Sequence, residues 1–398
     1  MRRSAVIAAV LFLSTALLGV SPTAGLTAGY APITGAGSTW AQNALDQWRV
    51  SVAANFGASV NYSAIGSTSG RQNFIQGTVD FAVSEVPFQT HPEDGSIPES
   101  PGRGYTYVPA VGGGLAFMYH LTVDGVRVTD LRLSGEVITK IFTGAITNWS
   151  DAAIQADNPR LALPNRAITP VIRSDGSGTT AQLSQWMSEK YPGLWDEFAV
   201  SMGRGTGPTS QYPLFSGAKG QSGSHGVAGY VSQSYGEGAI TYVEYSYALM
   251  AGFPAAKVLN SSGYYVSPSA SSVAVALQSA RVNQDSTSTS FQTQILDGVY
   301  DSVDPRAYPL SYYAYLVVPT EVKGVFTESK GATLGAFASY ALCEGQQQAA
   351  GLGYAPLPRN LVLAGFEQIK RIPGAAGANI TVDHCNNPTF GPGGSVTT

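Results

Sequence analysis

The chain has 398 residues, 12% of them charged, and a formal net charge of −4. That length exceeds one ordinary domain and fits two. With no basic tract a nucleic-acid partner is disfavoured, and a net-negative chain that takes up an anion must rely on local dipoles rather than a global field.

Arg2-Arg3, the apolar run Ala5 to Val20 and Ser21-Pro22-Thr23-Ala24 read as a signal peptide over residues 1–24, so the chain is expected to be exported and extracytoplasmic. A membrane anchor is the alternative, disfavoured because the run is short. No cysteine closes this run, so lipid attachment of the usual bacterial kind has no acceptor atom.

Next come three strand-to-helix turns rich in glycine and hydroxyls. Gly35-Ala36-Gly37-Ser38-Thr39 precedes a helical pattern carrying Trp40, Ala44, Leu45, Trp48 and Val52, with the helix expected from Leu45 to Ala54. Ile65-Gly66-Ser67-Thr68-Ser69-Gly70 follows the alternating run Ala58 to Tyr62 and opens a shorter helix through Phe74 and Ile75. Arg173-Ser174-Asp175-Gly176-Ser177-Gly178-Thr179 follows the apolar run Ile168 to Ile172 and opens a helix over Thr180 to Lys190. First-turn N–H groups with the positive helix end make an anion site; glycine lets the backbone come close, and Arg173 adds a fork of donors. Each turn alone is equally well a helix cap. Three converging turns form a pocket for a small oxyanion.

Further strands are expected at Val79 to Val83, Tyr105 to Val108, Gly114 to His120, Ile240 to Val243 and Tyr312 to Val318. Further helices are expected at Gly135 to Ile141, Ser224 to Ser234, Ser272 to Val282 and Thr333 to Leu342. The alternation argues for parallel sheets flanked by helices. The Gly/Ser/Thr-rich stretch Gly203 to Gly223 reads as a surface loop, and Thr389 to Thr398 as a loose tail. Cys343 and Cys385 are the two cysteines; in an exported chain one disulfide is favoured over two free thiols. The four histidines show no metal-ligand spacing, and no phosphate-loop, nucleophile-elbow or H-E-x-x-H motif is present, so neither a cofactor nor catalysis is expected. Glu244 and His225 tempt as catalytic groups but lack partners at recognisable spacing.

In this order, Thr34-Gly35-Ala36-Gly37-Ser38-Thr39-Trp40, Val60 through Gly70, Thr78 to Glu85, Ile141-Phe142-Thr143-Gly144, Asn148-Trp149, Arg173 to Thr179, Gly238 to Tyr245, Tyr308-Pro309-Leu310 and Gly353 to Pro358 resemble the extracytoplasmic phosphate-binding proteins of phosphate-specific ABC transporters. The resemblance spans roughly residues 32 to 370. It implies an α/β, two-lobe periplasmic-binding-protein-like (type II) fold, each lobe a mixed sheet flanked by helices, with two hinge crossings. Lobe 1 would hold residues 29–109 and 310–375, lobe 2 residues 110–309, and 376–398 a C-terminal tail. It implies a monomer that binds inorganic phosphate and delivers it to a membrane permease. A secreted phosphate scavenger, sensor or adhesin is the alternative, and a phosphatase on the same lobes a weaker one.

Carried onto this chain, the family's contacts fall on Thr39, Trp40, Ser67, Arg173, Ser177, Gly178 and Thr179, with Asp175 supporting Arg173. Plainer readings stand beside these: Trp40 as core, Ser67 as a helix cap, Asp175 as a turn stabiliser. Glu85 stands where the resemblance implies aspartate, and Trp40 where it implies phenylalanine. A carboxylate beside the anion accepts the proton that phosphate keeps near neutrality, whereas fully ionised sulfate would meet it lone pair to lone pair. Glutamate keeps that chemistry and adds a methylene, so its backbone must retreat or its rotamer bend; a solvated surface acid is the alternative.

Overall fold

The computed structural model describes residues 29–288, 290–375 and 381–390; the signal peptide read at 1–24 lies outside them. Eight strands form the main sheet: β1 (Ile33–Gly37), β2 (Val60–Ala64), β3 (Phe81–Ser84), β4 (Tyr105–Tyr119), β5 (Thr169–Arg173), β6 (Lys219–Gln221), β7 (Ala239–Glu244) and β8 (Ser311–Pro319). Their order is β2-β1-β3-β8-β4-β7-β5-β6. The outer strands pair in parallel, β1 with β2 and β3, and β5 with β7 and β6. The middle does not: β8 runs antiparallel to β3 and β4, and β4 antiparallel to β7. The sheet is therefore mixed, not parallel, because one strand in each half returns from the opposite side. Strands β3, β7 and β8 are buried along their whole length, which accounts for their near-continuous apolar sequence.

Strand β4 joins the two halves. Residues Tyr105 to Gly114 pair with β8, and Leu115 to Tyr119 pair with β7. The sequence suggests two strands, Tyr105 to Val108 and Gly114 to His120; the structure makes one, running through Gly112-Gly113-Gly114. These glycines are packing slots rather than turns. A Cβ on Gly113 would lie 2.7 Å from the Trp40 ring, and one on Gly112 2.4 Å from Leu277 Cδ1. The register against β8 slips once, between Ala314 and Tyr315, opposite Pro109 and Val111. Proline has no N–H to give the ladder, so a bulge there suits it.

Seven helices shape or brace the strand ends: α1 (Gln42–Phe56), α2 (Ser67–Gln76), α3 (Gly178–Lys190), α4 (Gly223–Ser232), α5 (Tyr245–Ala251), α6 (Glu328–Leu342) and α7 (Arg359–Ile369). The helix read over Ser272 to Val282 stops at Leu277; Arg281–Val282 instead pairs antiparallel with Gln294–Ile295. The stretch Gly203 to Gly223 is not simply a surface loop either. Thr209 and Tyr212 are buried, Ser210 O accepts the Ser177 N–H at 2.9 Å, and Lys219 to Gln221 become β6.

Cys343 and Cys385 form a disulfide that ties a C-terminal segment to the end of α6 across 42 residues. Thr389 and Phe390, read as loose tail, dock here: Thr389 Oγ1 donates to Leu357 O at 3.2 Å, and Arg359 lies over the Phe390 ring. Opening a loop of 42 residues should remove about 4 kcal/mol in the chain-entropy account. The Cys343→Ser/Cys385→Ser double variant is expected to unfold at correspondingly lower urea, with the midpoint unaffected by reductant.

Candidate functional site

Glu85, the first residue after β3, organises the site. It is fully buried, and each carboxylate oxygen takes a hydroxyl from a different turn: Oε1 from Ser38, Oε2 from Ser67 at 2.5 Å. The third turn reaches the same point. A Cβ on Gly178 would stand 1.9 Å from Glu85 Oε2 and 2.9 Å from Ser67 Oγ, so only glycine admits the acid against the start of α3. The second and third turns also touch directly: Thr68 N–H donates to Gly176 O at 3.3 Å, and a Cβ on Gly66 would meet Asp175 Oδ2 at 2.7 Å. The three turns read from the sequence therefore converge on one buried carboxylate.

The first turn is shaped by Gly37, whose φ of 140° and close approach to Val83 O exclude a side chain. Ser38 N–H donates to Val83 O at 2.9 Å, and Ser38 Oγ accepts the Ala41 N–H at 3.0 Å while binding Glu85. Thr39 lies one residue on, but its hydroxyl is engaged: Oγ1 accepts Ser224 N–H at 3.0 Å and pairs with Ser224 Oγ at 3.0 Å. Its carbonyl takes the Tyr247 hydroxyl at 2.5 Å. The Trp40 ring belongs to the core, stacked on Tyr312 with centroids 4.9 Å apart, and its carbonyl takes the Tyr354 hydroxyl at 2.5 Å. The plain reading of its side chain is the right one; any ligand contact is left to its main chain.

In the third turn Ser177 caps α3, its Oγ accepting Thr180 N–H at 3.1 Å, so the N–H groups of Gly178 and Thr179 remain without intrahelical acceptors. The Thr179 hydroxyl is buried beside that of Tyr312. Arg173, at the end of β5, is buried and held bidentately by Asp175, Nε to Oδ1 at 2.7 Å and Nη2 to Oδ2 at 2.5 Å, leaving Nη1 outside the fork. Asp175 Oδ1 also accepts Gly223 N–H at 2.9 Å. Burial opposes both charges, yet the pairing prevails: Arg173 is held above its ordinary value and Asp175 below its own. The one cation of the site is thus neutralised locally, and its positive character comes from helix starts and main-chain N–H groups.

Glu85 goes the other way. Burial raises its pKa above the ordinary 4.5, against the lowering by the Ser38 and Ser67 hydroxyls. A desolvated carboxylate with two donors still has lone pairs free to accept a proton-bearing ligand. Glu244 is a second buried acid, pushed well up by burial; its Oε2 caps α5 by accepting Ser246 N–H at 2.6 Å. That cap is the role the structure shows for it.

The sequence points to the turns but not to every group. Ser38 sits inside the first motif with no signal of its own, and Ser224 reads only as the start of a helix. Tyr312 carries a buried hydroxyl on β8 next to the Thr179 hydroxyl; nothing local in the sequence marks it.

The PBP superfamily domain matches residues 22–344. The phosphate-binding protein PstS of Xylella fastidiosa (strain Temecula1) is 34% identical over 330 residues, covering 83% of this chain and 82% of that protein. PstS of Pasteurella multocida (strain Pm70) is 30% identical over 370 residues, 91% of this chain and 94% of its own. The chain belongs to the PstS family of the PBP superfamily. Among solved structures, a phosphate-binding protein from Stenotrophomonas maltophilia superposes with a TM-score of 0.63 at 18% identity, covering 91% of this chain and 98% of that one. A high affinity periplasmic phosphate-binding protein bound with phosphate (PfluDING) gives 0.60 at 18% identity, covering 84% and 92%. Both carry the fold expected from the sequence.

Because the folded state raises the Glu85 pKa, it holds more protons than the unfolded chain above pH 4.5, so this residue removes stability as pH rises through that window. Glu85→Gln should therefore be more thermally stable than the parent at pH about 8, with the difference vanishing near pH about 4. Thermal unfolding across that range checks it; equal melting temperatures at the higher pH would contradict a desolvated acid.

Proposed function

We propose that this chain is an extracytoplasmic solute-binding protein that captures inorganic phosphate between two lobes and hands it to a membrane permease of an ABC transporter. The observation that carries the reading is the buried Glu85 carboxylate at the meeting point of three donor-rich turns. Donors from Gly178, Thr179 and the starts of α1 and α2 suit a tetrahedral oxyanion, and Nη1 of Arg173 adds one more N–H donor. The anion's own proton then goes to Glu85. A ligand without a proton has no such donor and leaves two desolvated anionic groups facing each other.

The ligand set we assign is Thr39 through its main chain and hydroxyl, Trp40 through its main-chain N–H, Ser67, Glu85, Arg173, Ser177, Gly178 and Thr179, with Asp175 holding Arg173. Lobe 1 comprises residues 29–109 and 310–375, and lobe 2 residues 110–309; β4 supplies one crossing and the segment entering β8 the other. The exchange of β4 from β8 to β7 at Gly114/Leu115 supports a flexure there. The relatives are named as binding proteins, which supports a non-enzymatic role. Among the described residues no helix is long and apolar enough to cross a membrane.

Calorimetry on the mature protein with phosphate, arsenate and sulfate, a unit either side of neutral pH, is the direct test. Phosphate heat without sulfate heat is expected; sulfate binding without phosphate binding would overturn the proposal. Glu85→Gln should narrow the preference for phosphate over sulfate by about a hundredfold, the worth of one uncompensated buried anionic contact. An unchanged ratio would remove Glu85 from the selectivity mechanism.

A further inference from the structure

Glu85 is gripped at its main chain as well as at its carboxylate. Its carbonyl accepts Gln182 Nε2 at 2.9 Å and Gln294 Nε2 at 2.8 Å. Two donors use both lone pairs of a carbonyl oxygen. Gln182 lies one turn beyond Gly178 on α3, so the helix that points its N-terminus at the carboxylate also holds the backbone behind it. Gln294 is fixed from β8: its N–H donates to the Tyr315 hydroxyl at 2.5 Å, and its Oε1 accepts Tyr313 N–H at 3.2 Å.

A pocket of about 370 Å³ lies beside this clamp, bordered by Val86, Pro87, Gln182, Gln294 and Tyr315. Val86 and Pro87, the residues that follow Glu85, border it; Ser38, Ser67, Arg173, Gly178 and Thr179 do not. The main chain just after residue 85 thus faces open space on this side. Glutamate needs that room, because its extra methylene lengthens the acid by about one C–C bond, roughly 1.5 Å.

We propose that Gln182 and Gln294 are positioning residues that set the reach of Glu85, and through it the size of oxyanion the site accepts. The inference rests on the phosphate reading above. Neither glutamine touches the anion; both act through the carbonyl of Glu85. With the clamp in place the main chain is held back and the carboxylate stops at the start of α3. Without it the main chain is free to move, and the acid no longer meets the anion at one fixed distance.

The test is a cycle of four proteins by calorimetry: the parent, Gln182→Met/Gln294→Met, Glu85→Asp, and the triple variant. Methionine keeps the length and loses the donor. In the Glu85 background the methionine pair should weaken phosphate binding by about tenfold and bring the larger arsenate closer to phosphate. In the Glu85→Asp background the same pair should leave phosphate binding unchanged or tighten it, since a shorter acid needs its main chain to advance. That difference between the two backgrounds is a coupling that independent structural damage does not produce. Equal losses in both backgrounds, or a loss with the arsenate ratio unchanged, would overturn the clamp while leaving the phosphate reading intact. Absence of phosphate heat in the parent would overturn both. Gln182→Met alone, judged by the same signs, serves if the double variant does not fold.

Discussion

Everything in the site turns on a carboxylate kept out of water and held between hydroxyls. Isolated, such a group would neutralise itself or destabilise the fold; here Ser38 and Ser67 each give it a hydrogen bond, and the N-terminus of α3 lies against it. The surrounding structure is set by that placement. Gly178 must lack a side chain, Gly37 must take a left-handed backbone, and the three turns must arrive from strand ends on both sides of β4. Charge is balanced in the same local way: Asp175 answers Arg173, so no net side-chain charge opposes the acid, and main-chain dipoles supply the attraction for an anion.

Convergence of the turns depends on contacts between the two halves of the sheet. Thr39 meets Ser224 and Tyr247, Asn43 Nδ2 donates to Ser246 Oγ at 2.8 Å, and Thr68 meets Gly176. Most of these are hydrogen bonds between hydroxyls, amides and main-chain groups rather than large apolar contacts. Such bonds exchange readily with water, each worth about 1 kcal/mol net, so they hold an arrangement without locking it. The continuous strand β4 provides the opposite property. It gives both halves a common backbone, and its glycines let the Trp40 ring and Leu277 lie directly on the strand where its partner changes.

Two buried acids, Glu85 and Glu244, show how similar environments serve different ends. Both are desolvated and both are raised. Glu244 gives one oxygen to a helix cap, a local role that its own neighbour Ser246 completes. Glu85 draws its partners from residues 38 and 67 and, at its carbonyl, from 182 and 294. An acid bound by four distant segments has been brought to a fixed place, which is the mark of a positioned group rather than a cap.

The sequence by itself determined what is local. Gly/Ser/Thr turns between an apolar run and a helical pattern are anion-competent wherever they fold, so Arg173, Ser177, Gly178 and Thr179 can be named from the order of residues, whereas the roles of Ser67 and Asp175 came with the family resemblance. Helix α3 and strands β5 and β7 likewise carry their own periodicity. Only the tertiary structure decided what depends on distant partners. Pro109 to Gly113, left between two expected strands, continue β4, because a glycine in a strand signals a turn or a close neighbour and only the neighbour tells which. The Thr39 hydroxyl accepts the N–H of Ser224, 185 residues away, and the glutamines behind Glu85 carried no local signal at all, since an amide's partner 97 or 209 residues away is fixed by the packing of the whole chain.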